Sequence, residues 1–258
     1  MGTQVIQYRF RMPDNSRQDF KLELNAINLE LVGNLPEQLP EWTKLDLHQC
    51  SNCPLDVLTN PHCPLAANIA NIVRRFDGLT SYDKIKLDVI TEERHITQQT
   101  TVQKGISSMM GLVIATCGCP HTAFFKPMAR FHLPLASKEE TIFRATSMYL
   151  LAQYYINKDC QIADFELEGL ADIYHNMQIV NVAIAKRLRA ATISDSSLNA
   201  LVLLDSYAQV LPFAIEESLA EIRHLFSPFL NTKKKHSLCS CTDRMPKSIV
   251  GCEFFGGN

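Results

Sequence analysis

The chain has 258 residues, of which 46% are hydrophobic and 20% are charged, as in ordinary globular proteins. This length is sufficient for one large domain or two small ones with a substantial core. The formal net charge of −2 gives no reason to expect nucleic acid or an anionic membrane surface as a partner. No apolar signal-peptide core follows Met1, and the longest apolar run, residues 109–117, is about half of a membrane span. We therefore expect a cytoplasmic protein.

Residues 1–45 are predicted to form a small antiparallel β-meander. Apolar and polar residues alternate over residues 6–12, 20–24 and 27–31, which indicates three short strands with one apolar face. Such a meander is not stable alone in water, so we expect it to pack on the helices that follow. A further strand is predicted near residues 84–90, where the same alternation recurs and pairing with the meander is feasible.

Residues 66–230 carry mainly helical patterns. Ser137 and Glu140 have the spacing of a capping box, in which each side chain binds the backbone N–H group of the other residue. In the predicted helix of residues 164–188, apolar residues recur at alternating three- and four-residue steps, and Asn181 lies among them. One face of this helix is therefore predicted to be buried. Helices are predicted over residues 65–76, 100–116, 137–156, 164–188 and 195–226, the last interrupted by Pro212.

These patterns predict an α+β fold, in which the N-terminal β-meander packs on a mainly α-helical bundle. A cysteine-rich knuckle, residues 46–65, connects the two. Residues 231–258 have no periodicity and are predicted to form a disordered tail.

The cysteines are the strongest chemical signal in the sequence. There are nine, an odd number, and without an export signal they are more typical of metal ligands or redox thiols than of disulfides. Cys50 and Cys53 have the two-residue spacing of a metal knuckle, in which one tight turn directs both sulfurs to the same ion. We predict Cys63 as the third ligand and Cys119 as the fourth. Weaker candidate ligands are Cys117, His48 and His62.

Zinc and an iron–sulfur cluster are both compatible with these ligands. Zinc is the commoner occupant of such knuckles, so we expect zinc rather than a cluster at this site. A proline directly follows Cys53, Cys63 and Cys119, whereas nine cysteines and 12 prolines in 258 residues predict fewer than one such pair by chance. A Cys-Pro step also ends the bacterial ferredoxin ligand run, which favours a cluster. The metal-free alternative is that the cysteines pack as small apolar residues, an interpretation that fits Cys160 and Cys117 best.

A second hypothesis is an enzyme whose pocket lies next to the cysteines and takes a small anionic substrate. The loop of residues 125–134 carries Arg130 and His132, which could bind an anion and transfer a proton. Structural roles compete with this hypothesis, because Arg144 has the spacing of an ordinary helix ion pair with Glu140. The sequence therefore favours a structural or sensory metal protein over an enzyme.

Other charged residues give weaker signals. Lys186, Arg187 and Arg189 are predicted to form a solvated helix face. A third hypothesis is a metal-free interaction module, in which the meander edge or the tail binds a protein partner. The sequence specifies neither that partner nor an oligomeric state.

Overall fold

The computed structural model describes residues 2–33, 35–76, 79–191, 199 and 219–231. The strands are Thr3–Arg11 (β1), Arg17–Asn25 (β2), Lys84–Ile90 (β3) and His95–Thr101 (β4). The helices are Pro64–Arg75 (α1), Val102–Thr116 (α2), Lys126–Arg130 (α3), Lys138–Lys158 (α4), Glu168–Ala190 (α5) and Ser227–Leu230 (α6). Short 3-10 turns cover Glu41–Thr43, Ala123–Phe125 and Arg223–Phe226.

The predicted α+β fold is confirmed, with one antiparallel sheet and several helices. The chain divides into two compact units, residues 1–219 and residues 220–258, and α6 belongs to the second. In the part of the chain that the structure describes, no helix is long and apolar enough to cross a membrane. Most of the predicted helical stretch 195–226 and the predicted tail after Asn231 lie outside the described residues.

The sheet has the strand order β2-β1-β3-β4. Alternation along β1 places Tyr8 and Phe10 on the buried face, and Tyr8 lies between Phe20 of β2 and Val89 of β3. The predicted strands in β1, β2 and β3 are therefore confirmed, and so is the pairing of the later strand with the N-terminal pair.

The predicted third strand of the meander, residues 27–31, is wrong. The Asn25 side chain accepts a hydrogen bond from the Ile27 amide at 2.8 Å, and the Asn25 carbonyl accepts one from the Leu29 amide at 2.9 Å. These bonds close a turn in which Leu29 has a left-handed φ of 58° and Ile27 is 83% exposed. Leu31 returns to β2 through an isolated bridge to Leu24, and the Val32 amide donates to the Glu23 carbonyl at 2.8 Å.

The fourth strand, β4, is absent from the sequence prediction. Its residues are almost all polar because it is an edge strand exposed to solvent, so no apolar alternation marks it. It pairs with β3, whose buried Asp88 accepts hydrogen bonds from Thr97 Oγ1 at 2.5 Å and from Arg11 Nη2 at 3.0 Å. The next helix begins at Val102 rather than at Thr100, because the Thr101 side chain caps it.

Helices α1 and α2 cover the buried face of the sheet. The rings of Phe10, Phe20 and Phe76 form an aromatic cluster there, with centroid separations of 4.8 to 5.9 Å. Gly105 of α2 faces this cluster, and a β-carbon at that position would lie 2.8 Å from the Phe10 ring and 3.1 Å from the Ile85 side chain. The close approach of α2 to the sheet therefore requires glycine.

We predict that Gly105→Ala lowers the free energy of unfolding by about 1–3 kcal/mol, the usual cost of overpacking a core. This loss exceeds the gain in helix propensity, which is at most about 1 kcal/mol. Urea unfolding of the wild type and the variant measures this decrease in the free energy of unfolding. In a Phe10→Leu background the same substitution should cost less, because the ring that it meets is gone; equal costs in both backgrounds would contradict the packing explanation.

Candidate functional site

The segment between the 3-10 turn at Glu41–Thr43 and α1, residues 44–63, has no helix or strand. Its two ends are held together, since the Cys63 amide donates to the Thr43 carbonyl at 2.8 Å and the Leu45 amide donates to the Pro61 carbonyl at 3.0 Å. Loops longer than about 12–15 residues without regular structure are uncommon in compact domains and are often functional. We call residues 44–63 the cysteine loop.

Arg187 of α5 anchors the start of this loop. Its side chain is 1% exposed and donates to the carbonyls of Trp42 at 3.1 Å, Leu45 at 2.9 Å and Lys44. The predicted solvated face is therefore wrong for Arg187, although Lys186 and Arg189 are exposed. Arg187 lies on the buried side of α5, where three backbone carbonyls accept hydrogen bonds from Nη1 and Nη2 of its guanidinium.

The predicted knuckle forms a tight turn. The Cys53 amide donates to the Cys50 carbonyl at 3.0 Å, and both cysteines are half-buried. Cys63 is buried at the N-cap position of α1, directly before the Pro64 that begins the helix. The proline after Cys63 therefore starts a helix, for which its fixed φ is suited.

The fourth predicted ligand, Cys119, lies buried in the loop after α2. Burial raises the pKa of its thiol, whereas the backbone N–H groups of His121 and Thr122 lower that pKa. His121 Nε2 also donates to the Asn52 carbonyl at 2.7 Å. This hydrogen bond joins the loop that carries Cys119 to the knuckle turn.

Charges on the other predicted ligands act on the thiols of Cys50 and Cys119. Burial raises the pKa of Cys50 to about 12, and the charges of Cys63, Cys53 and Cys119 add to this effect. The positive charge of Arg187 opposes it. Cysteines from three separate parts of the chain therefore act electrostatically on one thiol, that of Cys50.

The thiols are nevertheless not in coordinating positions. All six described cysteines are free, and within the described ranges no group of three or more His, Cys, Asp or Glu side chains could hold a metal ion as placed. Binding an ion would require the sulfurs of neighbouring cysteines to turn toward a common point.

The weaker candidate ligands are placed less favourably. His48 is exposed, with a left-handed φ of 49°. His62 Nδ1 lies 2.8 Å from Thr43 Oγ1, which fixes the orientation of the ring within the cysteine loop.

Cys117 and Cys160 differ from the other described cysteines. Cys117 is buried and its Sγ donates to the Ile114 carbonyl at 3.2 Å, so it fills the core as a protonated thiol. Cys160 is exposed and has a left-handed φ of 59° just after α4, so the prediction that it packs in the core is wrong.

A separate cavity of about 540 Å³ lies beside α2, α3, α4 and α5. His132 lines it, and His132 Nε2 is 2.5 Å from Tyr8 Oη. Tyr8 Oη is also 3.0 Å from Ser108 Oγ, which accepts a hydrogen bond from the Leu135 amide at 3.0 Å. His132 is thus connected to the sheet through buried Tyr8 and, through Ser108, to α2.

The two basic residues near His132 have different surroundings. Arg144 Nη2 donates to the carbonyls of Met128 and Phe131, both at 2.9 Å, and so binds the end of α3. The capping box of Ser137 is confirmed, but in the described chain no ion pair joins its Glu140 to Arg144. Arg130 is exposed and does not line the cavity with His132.

The model of one protein family, described as Domain of unknown function (DUF6901), matches residues 6–227. The chain belongs to this family. No curated protein and no solved structure matches the chain. The description of the DUF6901 family assigns no reaction and no ligand.

Sequence reasoning missed two residues of these sites. Arg187 follows Ile184 by three residues and therefore shares its buried face, a spacing that could have identified it. Tyr8 was assigned to the core by its alternation, but the contact of its hydroxyl with His132 has no signal in the sequence.

We predict that Arg187→Gln lowers the free energy of unfolding by about 2–4 kcal/mol, because buried carbonyl groups lose their donors. Arg189→Gln, two residues along the same helix at an exposed position, is the matched control and should change stability little. Chemical denaturation of both variants gives the comparison. Equal stability of the two would show that the guanidinium does not hold the cysteine loop.

A second prediction concerns pH. Burial, aided by the charge of Arg144, lowers the pKa of His132 to about 3. The unfolded chain, with a histidine pKa of about 6.5, then takes up a proton that the folded chain does not. The contribution of His132 to the free energy of unfolding is fully present above pH 6.5. It decreases as the pH falls toward 3, by at most about 1.4 kcal/mol per pH unit. His132→Gln should flatten the acid side of the stability profile, and an unchanged profile would contradict this.

Proposed function

We propose that the protein is a metal-thiolate protein in which Cys50, Cys53, Cys63 and Cys119 bind one zinc ion. The observation that supports this proposal is the gathering of these four cysteines, from three parts of the chain, around Cys50. Sites with four thiolate ligands are typical of structural zinc, which is tetrahedral and has no open position for substrate.

The position of the cysteines suggests what the ion would stabilise. It would connect the turn at Cys50 and Cys53, the N-terminus of α1 at Cys63 and the loop after α2 at Cys119. The cysteine loop has no helix or strand, so cross-linking it to two helix ends would supply stability that hydrogen bonds within the loop do not.

The charge around the proposed site is suitable for this role. Zinc with four thiolates carries two negative charges, and the buried guanidinium of Arg187 acts on Cys50 with the opposite sign. Backbone N–H groups from His121 and Thr122 favour the thiolate of Cys119. Donors of this kind commonly orient and stabilise metal ligands from outside the coordination shell.

A sensory role belongs to the same proposal. Cys50 and Cys53 are half-buried, whereas Cys63 and Cys119 are buried, so an oxidant would reach the knuckle turn first. Oxidation of the knuckle would release the ion and free the cysteine loop. Such a device requires a reducing compartment, for which we propose the cytoplasm.

An iron–sulfur cluster is the second candidate for this site. The N–H groups directed at Cys119 and the Cys-Pro steps support it, since hydrogen bonds to sulfur tune such clusters. Zinc, iron and acid-labile sulfide per chain, measured on protein purified without oxygen or chelator, decide between the two.

We predict about one zinc per chain in the wild type and loss of the ion in Cys53→Ser, with lower stability in urea. Cys160→Ser is the matched control, because Cys160 is exposed and outside the cluster, and it should retain both metal and stability. If the protein instead contains iron with matching acid-labile sulfide, the site holds an iron–sulfur cluster and not zinc. Wild-type protein without either metal, or a Cys53→Ser variant with unchanged metal content, would refute it.

A further inference from the structure

The cavity beside α2 has an apolar interior and a polar rim. Its volume of about 540 Å³ lies within the range of small-molecule sites, about 300–1,000 Å³. Exposed polar residues, including Gln98 and Lys104, form the rim. The apolar part of the wall includes Leu112, Met128 and Met177.

The charge of the lining has one sign. The chain contains 27 acidic and 25 basic residues, yet no Asp or Glu is found among the described residues that line the cavity. Two cations do line it, Arg144 in the half-buried part and Lys104 at the exposed rim. His132 is neutral near pH 7 because burial lowers its pKa. A ligand of this cavity therefore meets a positive potential without a competing carboxylate.

The hydroxyl group of Tyr174 is available in the same cavity as Arg144. Tyr174 of α5 lines the cavity and is 5% exposed, with its ring packed 5.4 Å from that of Phe125. Among the described residues its hydroxyl makes no hydrogen bond. The charge of Arg144 acts on Tyr174 and opposes the rise in pKa that burial causes. A hydroxyl group without a hydrogen-bond partner among the described residues, in the same cavity as a cation, is a feature expected of a binding site for an anionic oxygen.

We propose that this cavity binds an amphipathic monocarboxylate, with the carboxylate between Arg144 and Tyr174 and the hydrocarbon part against the apolar wall. Arg144, the single cation among the described residues of the interior, matches a single negative charge. The apolar wall requires a hydrocarbon body, whereas a small polar anion such as phosphate would leave that surface uncovered. The site is separate from the cysteines and does not depend on a metal.

Isothermal titration calorimetry of octanoate against the full chain tests this inference. Octanoate should bind with one site per chain, whereas octan-1-ol and octyltrimethylammonium, which have the same hydrocarbon body without the negative charge, should bind at least tenfold more weakly. A charge-assisted hydrogen bond is worth about this factor. Equal affinity for octanoate and octan-1-ol would overturn the carboxylate assignment, and no binding of octanoate would overturn the site.

Tyr174→Phe is the decisive variant, because it removes only a hydroxyl that makes no hydrogen bond to the described residues and should leave the fold unchanged. We expect its octanoate affinity to fall about tenfold. Tyr154→Phe, at an exposed tyrosine outside the cavity, is the matched control and should bind as the wild type does. Wild-type affinity in Tyr174→Phe would refute the placement of the carboxylate.

Discussion

The buried guanidinium of Arg187 is the contact on which the arrangement of the cysteine loop depends. A charge inside a protein is stable only where polar groups replace its hydration, and here the carbonyls of Trp42, Lys44 and Leu45 accept hydrogen bonds from Nη1 and Nη2. This contact fixes the loop to α5, while backbone hydrogen bonds to Cys63 and Leu45 close its two ends. The loop therefore has a defined course without any helix or strand of its own.

Helix α5 connects the two sites of the molecule. Asn176 accepts a hydrogen bond from Asn52 in the knuckle turn, and Arg187 binds the start of the same loop. Tyr174, on the same helix, lines the cavity instead. A change in the cysteine loop and a ligand in the cavity would thus both act on α5, although the proposed metal and the proposed carboxylate are independent of each other.

The sequence was sufficient for the elements whose residues have a clear period. Alternation identified β1, β2 and β3, and the buried stripe of α5 followed from its spacing. Edge strand β4 has no signal in the sequence, because a strand exposed to solvent needs no apolar alternation. Alternation predicts a strand at Ile27, but the turn made by the Asn25 side chain overrides this local pattern. At the site, spacing predicts the candidate cysteine ligands and is sufficient to place Arg187 on the buried face of Ile184. The carbonyls that Arg187 binds and the contact of His132 with Tyr8 have no signal in the sequence, because both depend on segments distant along the chain.

Zinc-edge X-ray absorption on the protein as purified tests the central claim most directly, because it reports the atoms around the ion. Four sulfur neighbours at about 2.3 Å are the predicted result, since zinc–thiolate bonds have this length. A shell of nitrogen or oxygen neighbours at about 2.0–2.1 Å would contradict coordination by the four cysteines. Protein without any bound metal would contradict the metal-thiolate proposal as a whole.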